Sequence, residues 1–289
     1  MVCQFDRKAG RGPARSPAAR RIAAGRGWSV SEFVCDSGPG DRPFEERHDA
    51  VSIAAVVAGS FNYASDTGRA LLHPGALLLG NPDACYQCGH DHGVGDRCIS
   101  VQIAPDYFAE IAATAGGSSK FRFPTAMLPA RRDILPHAAV LEAMCGGRDL
   151  LQVEEELVGF AAAAIRALSG ESAAAARVSA RDERRISRTL RHIERHADQA
   201  IDLDQLADIA AMSKFHFLRI FRRTVGMTPY RFLVNIRLRR AALRLLTSPD
   251  TVSRIAFDSG FGDLSTFNNT FRASFGASPL AFRRKGSPA

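Results

Sequence analysis

A chain of 289 residues with 46% hydrophobic and 24% charged side chains is long enough for two globular domains, each with its own core. It contains no apolar run of about eighteen residues, which excludes a membrane-spanning helix, and its basic N-terminal stretch lacks the apolar segment of a secretory signal. The net charge of +8 is unevenly placed: residues 181–289 hold 20 Lys+Arg and 10 Asp+Glu, leaving 18 basic and 20 acidic residues in the remainder. A basic half joined to an acidic one suggests that only one half meets a polyanion. Six cysteines at irregular spacing, without an export signal, read as reduced thiols of a cytoplasmic protein.

Residues 1–21, rich in Gly, Pro, Ala and Arg, are expected to form a disordered basic tail. From 22 to about 130, short apolar runs such as Val51–Ala58 and Ala76–Leu79 alternate with Gly, Pro, Asn and Asp. That pattern predicts a β-sandwich or small barrel. Within it, CYQCGHDHGVGDRC places Cys85, Cys88, His90, His92 and Cys98 in fourteen residues, crossed by Gly89, Gly93 and Gly95. These soft and borderline donors are a candidate tetrahedral site for zinc or another thiophilic metal. Strand alternation sets a condition: an extended 84–90 points Cys85 and Cys88 to opposite faces, so a turn must lie between them. The competing reading is of small buried cysteines in a β core with surface histidines.

Two helices are predicted next, over Ile134–Cys145 and Leu150–Leu168. In the second, Leu150, Val153, Leu157, Phe160 and Ala164 recur at alternating spacings of three and four, a stripe that either packs on the sandwich or forms a homodimer seam. Residues 169–182, with Ser, Gly and four consecutive Ala, are expected to link the sensor-side region 22–168 to a domain over 183–286.

The basic half contains an internal repeat. Phe221-Arg222, Gly226, Thr228-Pro229 and Phe232 recur as Phe271-Arg272, Gly276, Ser278-Pro279 and Phe282. Each Gly closes a helix, and each Ser/Thr-Pro caps and opens the next. Upstream of the first copy, Leu203, Leu206, Ala207 and Ala210 share a helix face, and Met212-Ser213 makes a turn with Ser213 as cap. A helix over Lys214–Val225 then turns Phe217, Ile220, Phe221 and Thr224 inward. Upstream of the second, Thr251 caps a helix bearing Val252, Ile255 and Ala256. Gly260 serves the turn, and Asp263 caps a helix with Phe267, Thr270 and Phe271 inward. Ala207 and Ala256 stand where two helices must cross closely. This is the helix-turn-helix pattern, present twice. Between the units Pro229–Thr247 reads as one helix carrying Phe232, Ile236, Leu243 and Leu246. A rod of roughly 27 Å holds two reading heads about one DNA turn apart.

The stretches LDQLADIAAMSKFHFLRIFRRTVGMTPYRFLVNIRLRRA at 203–241 and IAFDSGFGDLSTFNNTFRASFGASPLAFR at 255–283 closely resemble the DNA-binding domain of the AraC/XylS family. The resemblance covers 183–286. It implies an all-α domain of seven helices, promoter binding in double-stranded DNA, most often activation, and hence RNA polymerase as a partner. It also implies a cupin-like sensor domain in the N-terminal half, so the expected fold class is α+β. The effector is unidentified, a homodimer is allowed, and no membrane is involved.

On the first recognition helix the face opposite the core presents Lys214, Phe215, Leu218, Arg219, Arg222 and Arg223. Arg219 is the candidate base contact, since a guanidinium pairs bidentately with guanine. Phe215 and Leu218 suit thymine methyls, although Leu218 replaces a residue often polar in the family. Lys214, Arg222 and Arg223 suit phosphates. On the second, the exposed set is Leu264, Ser265, Thr266, Asn268 and Asn269, with Asn suited to adenine and Leu264 unable to hydrogen-bond. Two rival readings are a DNA-repair alkyl acceptor using a cysteine–metal site, and a dimeric DNA-binding regulator without a ligand. No nucleophile triad, phosphate loop or paired-carboxylate motif is present, so no enzyme is expected.

Overall fold

The computed structural model describes residues 16–90, 93–115, 118–144, 150–169 and 178–286. The N-terminal region is built of antiparallel strands in two sheets. The first orders β1 (Ala18–Gly25), β2 (Trp28–Cys35), β9 (Asp96–Ile103), β4 (Val51–Gly59), β7 (Leu77–Gly80) and β10 (Met127–Leu128) side by side. The second orders β3 (Phe44–Arg47), β8 (Cys85–Gly89), β5 (Phe61–Ser65) and β6 (Gly68–Leu72).

Both faces of the first sheet are covered, and period-two alternation sends neighbouring residues to different cores. From β4, Val51, Ile53, Ala55 and Val57 join a core with Ile99, Val101 and Ile103 of β9. The helices α1 (Pro105–Thr114), α2 (Leu135–Ala143) and α3 (Leu150–Leu168) cover that face. The intervening Ala54 and Val56 turn the other way, against Phe44, Phe61, Tyr63 and Leu72 of the second sheet. Burial on two sides is why β4 reads as an unbroken apolar run rather than an alternating one. Along α3, Val153, Leu157, Phe160 and Ala164 are buried in the helix–sheet core, while Leu150 is 56% exposed. The stripe therefore packs on the sheet.

Three differences from the sequence expectations stand out. β1 begins inside the stretch read as a disordered tail, because Ala18 to Arg21 pair with Val34 to Ser31 of β2, and Arg20 donates to Glu32 across the pair. Cys85 is disulfide-bonded, which corrects the reading of all six cysteines as reduced thiols. Helix α4 (Ala180–Arg195) opens within the expected linker, capped by Ser179; residues 170–177 lie outside the described set.

From Ala180 onward the described residues form seven helices around two cores. The first unites α4, α5 (Leu203–Ala210), α6 (Lys214–Val225) and Phe232, Leu233 and Ile236 from the start of α7 (Pro229–Thr247). The second unites Leu238, Ala241, Ala242 and Leu245 from the end of α7 with α8 (Val252–Asp258), α9 (Leu264–Phe275) and Phe282 of α10 (Pro279–Gly286). Helix α7 is thus shared, one half in each core. Of the apolar residues named on this helix, Phe232 and Ile236 are buried and Leu243 and Leu246 half-buried.

The β-rich and helical regions are packed together. Leu71 of β6 enters the first helical core, and Leu135 and Ala139 of α2 enter the second. The His73 ring meets Phe232 edge-on, with centroids 5.4 Å apart. Ser60 and Ser187 hydroxyls lie 3.0 Å apart, and the Gly59 N–H donates to the Glu194 carboxylate at 3.3 Å. Arg239 of α7 donates to the carbonyl of Val56 at 3.1 Å and to that of Val57.

Candidate nucleic-acid interface

The two helix pairs α5–α6 and α8–α9 are turned by the same backbone device. Asp202 caps α5 by accepting from the Gln205 N–H at 2.8 Å, and Thr251 caps α8 by accepting from the Arg254 N–H at 3.3 Å. At the far ends, Ala211 (φ 49°) and Gly260 (φ 92°) take the left-handed conformation. The next residue then bonds back: Met212 N–H to Ala207 O at 3.0 Å, and Phe261 N–H to Ala256 O at 3.1 Å. This closes each first helix and fixes the angle at which the second departs. Ala207 and Ala256 are both buried at these points, as close helix crossing requires.

Helices α6 and α9 begin at Ser213 and Asp263. Asp263 accepts from the Thr266 N–H at 2.7 Å, whereas Ser213 stands at the cap position without a side-chain cap bond. Gly226 (φ 79°) and Gly276 (φ 69°) end them, and Thr228 and Ser278 cap the following helices. Phe217, Ile220 and Phe221 on one helix, and Phe267 and Phe271 on the other, are buried; Thr224 and Thr270 are half-buried.

The outward face of α6 is cationic. Arg219, Arg222 and Arg223 are exposed and line a groove together with Leu218 and Thr228. Arg219 Nη2 donates to His216 Nδ1 at 3.2 Å, one turn earlier on the helix. Lys214 is paired with Asp204 of α5 at 2.5 Å, and this carboxylate raises the pKa of the ammonium. Phe215 lies on α6, but its side chain falls outside the described set. On α9, Leu264, Ser265, Thr266, Asn268 and Asn269 are all exposed, and the face is neutral.

Two residues escaped the sequence reading. His216 orients Arg219, a relationship legible in the three-residue spacing. Arg272, exposed on the last turn of α9, is the repeat equivalent of Arg222 and offers a cation there. Other arginines of this half are engaged internally. Arg237 donates to the carbonyls of Ala197 (2.6 Å) and Gln199 (2.8 Å). Arg240 donates to that of Glu194, and Arg244 pairs with Asp250 (2.6 Å) and Asp258 (2.9 Å).

The cysteine–histidine cluster of the β region is dispersed. Cys85 is held in its disulfide, so it is not a free ligand, and His92 lies outside the described residues. Cys88 and Cys98 are buried free thiols whose pKa values burial pushes up. His90 instead meets Asp96, with Nε2 2.6 Å from Oδ1. Burial opposes the charged ring, but Asp96 and then Cys35 outweigh it and raise the His90 pKa to about 9.

A family model described as a helix-turn-helix domain matches residues 206–285. Over 100 residues the chain is 35% identical to the HTH-type transcriptional activator RhaS of Escherichia fergusonii, covering 35% of this chain and 36% of that one. Over 255 residues it is 27% identical to RhaS of Klebsiella pneumoniae, covering 83% and 87% of the two chains. A solved structure of a transcriptional regulator from Chromobacterium violaceum, titled as containing an AraC-type DNA-binding domain, aligns with 38% of this chain and 97% of its own, at 21% identity and a TM-score of 0.35. The chain spans about a third of the length of the curated relatives it matches at 35% identity and above. The RhaS relatives are named as transcription regulators rather than enzymes. Over this helical region the chain is similar to HTH-type transcriptional regulators with AraC-type DNA-binding domains.

Proposed function

We propose that the chain is a sequence-specific DNA-binding transcription activator in which α6 and α9 are the recognition helices of two helix-turn-helix units. The carrying observation is the matched pair of turns: the same backbone bond at Ala207 and Ala256 presents α6 and α9 from the two ends of one shared helix. Arg219 reads a base edge, Arg222 and Arg223 hold phosphates, and Leu218 meets an apolar base surface. Lys214 reaches phosphate only by exchanging its Asp204 partner. On α9, Asn268 and Asn269 supply hydrogen bonds, while Leu264, Ser265 and Thr266 pack against the backbone and anchor the second unit. Arg272 adds a phosphate contact. The domain runs from the start of α4 at Ala180 to residue 286, so the linker ends at the cap Ser179.

Region 22–168 is a cupin-like sensor domain whose effector adjusts how the two heads sit on an operator. Its packing on α4 and α7 supports this, since a change in the sheets bears directly on the helix shared by both cores. Action at promoters in the cytoplasm, with RNA polymerase as partner, follows from the activator reading, and a homodimer accommodates a paired operator. The test is selection of genomic DNA fragments by the purified full-length protein, followed by sequencing. Enriched sites should carry two motif halves about one helical turn (~10.5 bp) apart; enrichment with no shared motif would overturn the reading.

A further inference from the structure

The residues around His90 come together from both sheets. Asp96 opens β9 and is flanked in strand register by Cys35 of β2 on one side and Gly59 of β4 on the other. His90 follows β8 by one residue and so arrives from the second sheet. One donor atom from each of Cys35, His90 and Asp96 lies within 4.8 Å of the others. A tetrahedral ion with ligand distances of about 2.0–2.3 Å holds its donors roughly 3.3–3.8 Å apart, so small side-chain rotations suffice. Cys98 stands two residues after Asp96 on the same strand face, with Sγ 3.4 Å from Asp96 Oδ2. Cys35, His90 and Cys98 are each at most 6% exposed.

We propose that Cys35, His90 and Asp96 form a three-residue binding site for a thiophilic divalent cation such as Zn²⁺, with a solvent molecule completing the tetrahedron. Thiolate and imidazole donors select such an ion over Mg²⁺ or Ca²⁺. Coordination replaces the His90–Asp96 hydrogen bond by two bonds to the ion and releases the protons held by the thiol and the imidazole.

The site also touches the helical half. Gly59, the register partner of Asp96, donates its N–H to Glu194 of α4. Gly93 lies against α4 as well, since a Cβ there would stand 2.4 Å from Arg191 Nη1. An ion pinning β2 and β9 to the segment after β8 therefore acts about one strand spacing (~4.8 Å) from Gly59, which is bonded to the first helix of the proposed DNA-binding domain. This regulatory consequence rests on the function proposed above; the site itself does not.

The test is a titration of full-length, chelator-treated, anaerobically handled protein with Co²⁺ as a spectroscopic probe. Saturation at one equivalent is expected, with thiolate-to-cobalt charge-transfer absorption that Zn²⁺ displaces. Cys35→Ser and Asp96→Asn should each weaken binding roughly tenfold or more, while Cys88→Ser leaves it unchanged. Circular dichroism checks each fold, and the nearly isosteric Asp96→Asn decides if Cys35→Ser does not fold. No charge-transfer band in the wild type, or undiminished binding in Asp96→Asn, would overturn the site. Operator binding measured on the same metal-free sample separates the two ideas: DNA binding without cobalt binding removes only the cation site.

Discussion

Arg239, midway along α7, donates its guanidinium to the backbone carbonyl of Val57 in the first β-sheet. The pairing of β4 with β9 shifts register between Val56 and Ala58, so this bulge leaves Val57 outside the ladder and its carbonyl available. Arg239 is only 8% exposed. Burial presses its pKa down, and the charges of Glu142 and Glu194 oppose this. Arg239→Leu should destabilise the protein by about 2–3 kcal/mol, because a buried carbonyl loses a charged donor. Arg239→Lys should recover less than half, since an ammonium does not reproduce the planar fork that serves two carbonyls. Denaturant unfolding followed by circular dichroism reads both, and a loss below about 0.5 kcal/mol for Arg239→Leu would contradict the clamp.

His73 gives the same junction a pH dependence. Its ring is fully buried, and that burial lowers its pKa from 6.5 to about 4. Unfolded, the ring takes a proton below about pH 6.5; folded, it resists until about pH 4. Stability from the neutral ring is therefore complete above about pH 6.5 and is lost as pH falls toward 4, by about 3 kcal/mol at most. His48 is lowered to about 4 for the same reason and adds its own loss. His73→Leu should thus flatten the decline of the unfolding midpoint between about pH 7 and pH 4.5 by roughly half. Parallel declines in variant and wild type would count against this assignment.

The two turns make opposite predictions at equivalent positions. Ala211 holds φ 49° with a Cβ, whereas Gly260 holds φ 92° without one. Ala211→Gly should raise stability by about 0.5 kcal/mol, relief of the left-handed strain exceeding the added chain entropy. Gly260→Ala should lower it by about 2 kcal/mol, because its Cβ would stand 2.6 Å from the Ala197 carbonyl oxygen. Thermal unfolding of the two variants checks the sign; shifts in the same direction would refute the equivalence.

The helical half was the more legible in sequence because its determinants are local. Asp202, Thr228, Thr251, Asp263 and Ser278 stand at helix caps where their types predict, and the phenylalanines fall at helical spacing. The β half depends on pairings that sequence distance conceals. Cys35 meets Asp96 only because β2 lies beside β9, so a motif read over 85–98 included Cys85, which is held in a disulfide, and omitted Cys35. Residues 18–21 form a strand through their pairing with β2 rather than through their own composition. Charge counting found the basic half, yet it could not show that Arg237, Arg239, Arg240 and Arg244 are turned inward by carbonyls and carboxylates.

The exposed cationic face of α6 carries the central claim, and a binding titration addresses it directly. Wild type, Arg219→Ala and Arg222→Ala are each titrated against a selected operator and random DNA at several salt concentrations. Arg219→Ala should lose about 1–3 kcal/mol of discrimination, while Arg222→Ala should weaken both DNAs alike and reduce the salt slope by roughly 0.9. An operator-to-random affinity ratio unchanged in Arg219→Ala would contradict the account.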